Sequence, residues 1–216
     1  MPLSPLQDTK PILHLTDVGV DVPGRPGLIG DVQLSIAPGA RIAVMGPSGS
    51  GKSTLLAVIG GLLEPTVGQV HRTKLQRSEI LWISQHALTL PFRTVAENVA
   101  LAALPFGHSW KEALRRADDA CQTVGLGSVA GTKTRSVSGG ERQRVGVARA
   151  LVGDFKLVLA DEPTASLDED LVLCVADALN HRVASHVSVV TATHDSRVAQ
   201  QSQRVLLLNR GVLHEQ

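Results

Sequence analysis

The chain has 216 residues, 43% of them apolar, enough to bury a substantial core and few enough for one domain, or a domain with a subdomain. A formal net charge of +1 argues against binding of nucleic acid by bulk electrostatics and leaves room for a local basic patch. Two cysteines, Cys121 and Cys174, stand far apart without metal-ligand spacing, which argues against a disulfide framework and for a reducing compartment; both are expected to be small core residues.

The first ten residues read as a loose polar arm, without the charged start and apolar block of a signal peptide, and no later apolar run approaches the length of a membrane span. The chain is therefore expected to be neither secreted nor membrane-spanning by itself. Residues 12–22 alternate between apolar and polar and predict a strand with one exposed face. Residues 23–27 (Pro-Gly-Arg-Pro-Gly) predict a turn, residues 32–36 a second alternating strand, and residues 42–45 a buried strand. The opening third is thus expected to be antiparallel and β-rich. A helix is predicted from Lys52 to Gly60-Gly61, a turn over 64–68, and a short apolar strand over 80–84 that ends at Gln85. Residues 94–124 turn helical, broken at Pro105-Phe106-Gly107, and the charges of the stretch from Trp110 to Cys121 describe a solvated face. The second half repeats an α/β rhythm: helices near 139–152, 169–183 and 196–201 alternate with the apolar strands 157–160, 187–192 and 205–208. Unbroken apolar strands separated by helices predict a parallel sheet covered on both faces.

Chemistry enters at Gly46-Pro47-Ser48-Gly49-Ser50-Gly51-Lys52-Ser53-Thr54, which matches the pattern G-x-x-x-x-G-K-[ST] at every fixed position and sits between a predicted strand and a predicted helix. Glycines let backbone N–H groups turn inward around phosphate oxygens, the helix start adds the positive end of its dipole, and Lys52 brings a mobile charge to the β- and γ-phosphates. Ser53 is then placed to ligate Mg²⁺. A second feature is the apolar strand that ends in Asp161 and Glu162. In an open parallel sheet ligands bind beyond the carboxyl ends of the strands, so Asp161 would hold hydrated Mg²⁺ beside the phosphate loop, and Glu162 would polarise the attacking water. The third is Ser138-Gly139-Gly140-Glu141, which reads both as a capping box opening a helix and as a second anion-binding helix start with bare backbone.

In this order, with Gln85 after a strand, Ser166-Leu167-Asp168 after the acids and Thr193-His194-Asp195 after the next strand, the motifs resemble those of ABC-type ATPase subunits across nearly the whole chain. The resemblance implies an α/β fold: a P-loop NTPase parallel-sheet core with an antiparallel β subdomain and a helical subdomain at about 86–150, all within a single domain over 1–216. It implies ATP and Mg²⁺ as cofactors, and a head-to-tail dimer in which each ATP lies between the phosphate loop of one copy and Ser138, Gly139, Gly140 and Glu141 of the other. Gln85 would join Ser53 and Asp161 at the metal and link the site to a membrane partner, Asp168 would couple the two sites, and His194 would contact the γ-phosphate. Taken singly, Gln85 also fits a strand-end polar residue, His194 a surface or capping histidine, and Asp168 a helix cap.

Residues 60–66, 90–99 and 140–145 resemble the branch containing lipoprotein-release, macrolide-export and FtsE-type ATPases. This implies an ATP-hydrolysing motor on the cytoplasmic face of the inner membrane, driving integral-membrane permease subunits, with no nucleic acid expected. Two alternatives are a partner of an FtsX-like protein that regulates cell-wall hydrolases without transport, and a soluble ABC-type ATPase acting on nucleic acid or ribosomes. The second lacks the coiled-coil insertion, zinc motif or tandem cassette such proteins carry, and a P-loop GTPase lacks its N-K-x-D motif here. Three departures stand out. Val22 falls at or near the usual aromatic position against adenine in a chain without tyrosine, the segment 71–79 is short, and Phe155 replaces a common proline.

Overall fold

A computed structural model describes residues 10–85, 88–165 and 167–216. In chain order it contains β1 (Leu13–Val22), β2 (Arg25–Ile36), β3 (Arg41–Met45), α1 (Lys52–Ile59), β4 (Val67–Arg72), β5 (Ile80–Ile83), α2 (Val95–Ala100), α3 (Trp110–Thr123) and α4 (Gly139–Ala150). There follow β6 (Leu157–Asp161), α5 (Glu169–Asp177), β7 (Ser188–Ala192), α6 (Ser196–Gln200), β8 (Arg204–Asn209) and β9 (Val212–Glu215). A three-stranded antiparallel sheet has the order β2-β1-β4, and a six-stranded sheet the order β5-β6-β7-β3-β8-β9, parallel except for β9.

Strand β6 shows why the apolar runs are unbroken. Its successive side chains point to opposite faces of the sheet. Leu157 and Leu159 enter the core shared with α1 and the antiparallel sheet, whereas Val158 and Ala160 enter the core shared with α2, α3, α4 and α5. The large sheet is thus covered on both faces, as its apolar strands require. The carboxyl ends of β3, β5, β6 and β7 emerge on one side, and the phosphate loop, Gln85, Asp161, Glu162 and His194 follow those ends.

Several elements depart from the sequence expectations. The turn expected over 23–27 is only Pro23-Gly24, because Gly24 at φ 77° reverses the chain and β2 begins at once, with Arg25 paired to Val22. Strand β4 starts inside the turn expected over 64–68, and β9 was not foreseen. Both are edge strands, exposed along much of their length, and carry little of the apolar pattern that marks a buried strand. Cys121 is buried, and burial raises its thiol pKa to about 12, but Cys174 is only half-buried and donates to the Thr123 carbonyl. Cys174 is therefore no core residue. Ser166, His86, Ala87 and the first nine residues of the expected N-terminal arm lie outside the described residues.

The far end of β3 is tied down by Arg41, which is only 4% exposed. Its guanidinium donates to the carbonyls of Asn180 (3.1 Å), Gly39 (3.2 Å), Val183 (3.0 Å), Ala184 (3.3 Å) and Val187. Asn180 and its neighbours form one π-helical turn that ends α5, and Arg41 satisfies the carbonyls there. Burial pushes the Arg41 pKa down.

Candidate active site

The phosphate loop is shaped by backbone that only glycine tolerates. Gly46 has φ 153°, and a Cβ there would sit 2.3 Å from the Leu208 carbonyl oxygen. Gly51, at φ 101°, occupies the N-cap of α1, and no side chain caps that helix start. Its N–H groups and its dipole therefore face the cleft. Lys52 curls back over the loop: its Nζ donates to the carbonyls of Gly46 (2.9 Å) and Pro47 (3.3 Å) and lies 3.5 Å from Glu162 Oε1.

A cleft of about 490 Å³ opens at the loop, lined by Ser48, Gly49, Gly51, Lys52, Ser53 and Thr54 and by Gln85, Glu162, Ala165 and His194. Ser50 is part of the turn, its N–H donating to the Pro47 carbonyl at 3.2 Å and its hydroxyl lying buried beneath Gly46.

Asp161 and Glu162 diverge although they are adjacent. Asp161 continues β6, and burial, opposed by a hydrogen bond from the Ser53 hydroxyl, pushes its carboxyl above the usual range. Its buried Oδ1 finds no hydrogen-bond partner among the described residues. An orphaned carboxylate oxygen beside a serine hydroxyl fits a hard divalent cation such as Mg²⁺. Among the described residues no group of three or more His, Cys, Asp or Glu could hold a metal, so a cation here would draw its other ligands from Ser53, Gln85, water and phosphate.

Glu162 leaves the strand at φ 47°, a left-handed conformation that costs a side-chain-bearing residue on the order of 1–3 kcal/mol. Its carboxylate lines the cleft, where Oε2 meets His194 Nδ1 at 2.8 Å. His194 is two-thirds exposed, and the cap of α6 is Asp195, which accepts from the Arg197 N–H. The capping reading of His194 therefore falls away.

Two expected groups lie outside the cleft. Ser138 opens α4 as a full capping box: its hydroxyl accepts from Glu141 N at 3.2 Å while Ser138 N donates to Glu141 Oε2 at 2.7 Å. Neither residue reaches the phosphate loop, and a Cβ on Gly139 would meet nothing within 4 Å, so this helix start faces outward with Gly140 beside it. Asp168 caps α5, accepting from Leu171 N at 3.0 Å.

Sequence reading missed Arg25, Leu28 and Ala165 in the cleft, and Gln143 beneath it. Arg25 and Leu28 line the cleft from β2, with Arg25 Nη1 3.3 Å from the Gly49 carbonyl, whereas Val22 packs against the core. Only the hairpin register brings Arg25 there, and the turn expected over 23–27 concealed it. Gln143 donates to the Glu162 carbonyl at 2.8 Å.

A glycine-lined phosphate loop, its lysine and two acids at the carboxyl edge of a parallel sheet define the chain as a P-loop nucleotide hydrolase. Comparison narrows the class. Residues 29–165 match the family model described as ABC transporter, and the chain belongs to that family. It is 40% identical over 210 residues to the lipoprotein-releasing system ATP-binding protein LolD of Legionella pneumophila (strain Paris), covering 90% of this chain and 92% of that one. It is 37% identical to the macrolide export ATP-binding/permease protein MacB 1/2 of Paracoccus denitrificans, covering 93% of this chain but 32% of that longer protein. Among solved structures, the ATP-binding cassette MJ0796, seen as a dimer in a post-hydrolysis state bound to ADP and Pi, superimposes with a TM-score of 0.81 at 31% identity, covering 94% of this chain and 98% of that one. The fold is that of an ABC ATPase, and the chain is an ATPase.

Proposed function

We propose that this chain is the motor subunit of a lipoprotein-release type membrane complex, acting as a head-to-tail pair of copies with ATP sandwiched between them. The observation that carries the reading is the convergence of Lys52, Glu162 and His194 at one end of the cleft, with the orphaned Asp161 carboxylate beside them.

The backbone N–H groups of Gly46, Ser48, Gly49 and Gly51 and those opening α1 bind the phosphates, Pro47 and Ser50 hold the turn between them through the Ser50 N–H to Pro47 carbonyl bond, and Lys52 reaches the β- and γ-phosphates. Thr54, in the first turn of α1, lines the cleft and would join Ser53 in binding the nucleotide. Ser53, Asp161 and Gln85 would hold Mg²⁺, which neutralises phosphate charge when bound. Glu162 orients and polarises the attacking water, and His194 holds the Glu162 carboxylate toward the γ-phosphate. Catalysis in such a site is mostly positioning and charge stabilisation, which suits one built from backbone N–H groups and few side chains.

Ser138, Gly139, Gly140 and Glu141 face outward and would close over the nucleotide of a second copy, with Asp168 near the junction. This reading draws support from the solved dimer of the MJ0796 cassette. Residues about 86–150 would form a helical subdomain within one domain spanning 1–216 and would meet an integral-membrane permease subunit. In its support, Leu88, Leu90 and Phe92, directly after Gln85, are 81%, 49% and 70% exposed. Among the described residues no helix is long and apolar enough to cross a membrane. The proposed site of action is the cytoplasmic face of the inner membrane, through that partner. Co-purification from membranes with ATP-loaded Glu162→Gln protein tests the partner: a permease subunit in stoichiometric yield is expected, and its absence would sink this reading.

A further inference from the structure

Glu162 is held in place by its backbone as well as by its side chain. Its N–H donates to the Ala192 carbonyl at 2.9 Å, and its own carbonyl accepts from Gln143 Nε2 at 2.8 Å and from Ala165 N at 3.3 Å. Gln143 belongs to α4, one turn beyond Ser138 and Gly139, and is 3% exposed. It is pinned under the sheet because α4 approaches β5 closely at Gly146, where a Cβ would lie 3.1 Å from Ile83 Cγ2. A buried side chain on a rigid helix thus reaches the carbonyl of a residue in left-handed conformation. A left-handed residue persists only where its surroundings over-determine it.

We propose that Gln143 is a positioning residue for hydrolysis: its amide locks the kinked Glu162 peptide so that the carboxylate stays aimed into the cleft. The proposal rests on the reading of Glu162 as the group that polarises water. Without the amide donor the Glu162 carbonyl keeps only the longer turn bond from Ala165, and the peptide is free to relax toward the extended region. The carboxylate would then swing away from His194 while the phosphate loop, which Gln143 does not touch, stays as it is. Because Gln143 and the outward-facing start at Ser138 share one helix, a displacement of α4 by a second copy would reach Glu162 through this bond.

The test compares Gln143→Met, which keeps the shape and removes the donor, with Gln143→Glu and Glu162→Gln in the full-length protein, reading ATP affinity, ATP-dependent dimerisation, kcat and KM. Expected for Gln143→Met is a loss of kcat on the order of 10- to 100-fold with KM and ATP affinity nearly unchanged. In Gln143→Glu the new carboxyl donates only when protonated, so its kcat relative to wild type should rise as pH falls from about 8 to about 6. Combined with Glu162→Gln, Gln143→Met should add little further loss. Wild-type kcat in Gln143→Met, or a kcat loss accompanied by equal losses of ATP binding and dimerisation, overturns the positioning role. Wild-type turnover in Glu162→Gln overturns instead the reading on which it rests.

Discussion

Lys52 Nζ and Glu162 Oε1 lie 3.5 Å apart, with side chains 7% and 14% exposed, so each is the other's counter-charge across a site built to receive a polyanion. In the proposed mechanism an arriving γ-phosphate would compete for the lysine and free the carboxylate to face water. Phosphate binding and release of the carboxylate would thereby be one event, and the pair compensates two charges that are both largely withdrawn from solvent.

Lys52→Ala removes the cation and leaves Glu162 Oε1 without the lysine beside it, His194 remaining on Oε2. ATP affinity should fall at least about 10-fold, equivalent to roughly 1.4 kcal/mol, in a fluorescence titration. Unchanged affinity would remove Lys52 from phosphate binding.

Arg41 sits at the opposite end of β3 from the phosphate loop, and five carbonyls share its guanidinium. Arg41→Met strands buried acceptors, and a lysine cannot span them. Both variants should lose on the order of 3 kcal/mol of unfolding free energy in urea. Folded Arg41→Lys should still bind ATP, because no cleft residue touches Arg41.

Much of this was legible in the sequence, for reasons specific to each residue. The loop from Gly46 to Thr54 and the acids after β6 are local patterns, because the chemistry needs those residues contiguous. Strand β6 was legible because burial on both faces leaves no polar position. Arg25 and Gln143 were not, since one depends on the register of a hairpin and the other on how closely Gly146 lets α4 approach β5. Glu162 illustrates the boundary: its place in the chain pointed to the role proposed for it, but the left-handed turn that aims it is a tertiary property.

Glu141 carries a pH signature. Its carboxyl lies below the ordinary range, chiefly because the Ser138 N–H donates to it and then because of the Ser138 side chain. A depressed carboxylate contributes stability that is present above its unfolded value and lost as pH falls through the folded one. Glu141→Ala should therefore melt below wild type at pH 7, and the gap should narrow as pH falls below the ordinary carboxylate range and through the lowered value of the folded protein. A gap independent of pH would show that the capping carboxylate contributes nothing through its charge.

Asp161 is strained by burial, with an orphaned oxygen in place of a partner. Asp161→Asn should raise the melting temperature of the nucleotide-free protein slightly, because the desolvated charge is gone, while abolishing the additional stabilisation that Mg²⁺ gives to the ATP-bound protein. Retained Mg²⁺-dependent stabilisation in that variant would place the metal elsewhere.

The measurement closest to the central claim is the molecular mass of Glu162→Gln in solution, by light scattering, with and without ATP. Blocking hydrolysis while leaving the phosphate loop and the outward-facing start of α4 intact should trap the sandwich. The expected result is a dimer with ATP, a monomer without it, and turnover reduced on the order of 100-fold or more. A monomer under both conditions, with ATP bound, would contradict a site completed by a second copy.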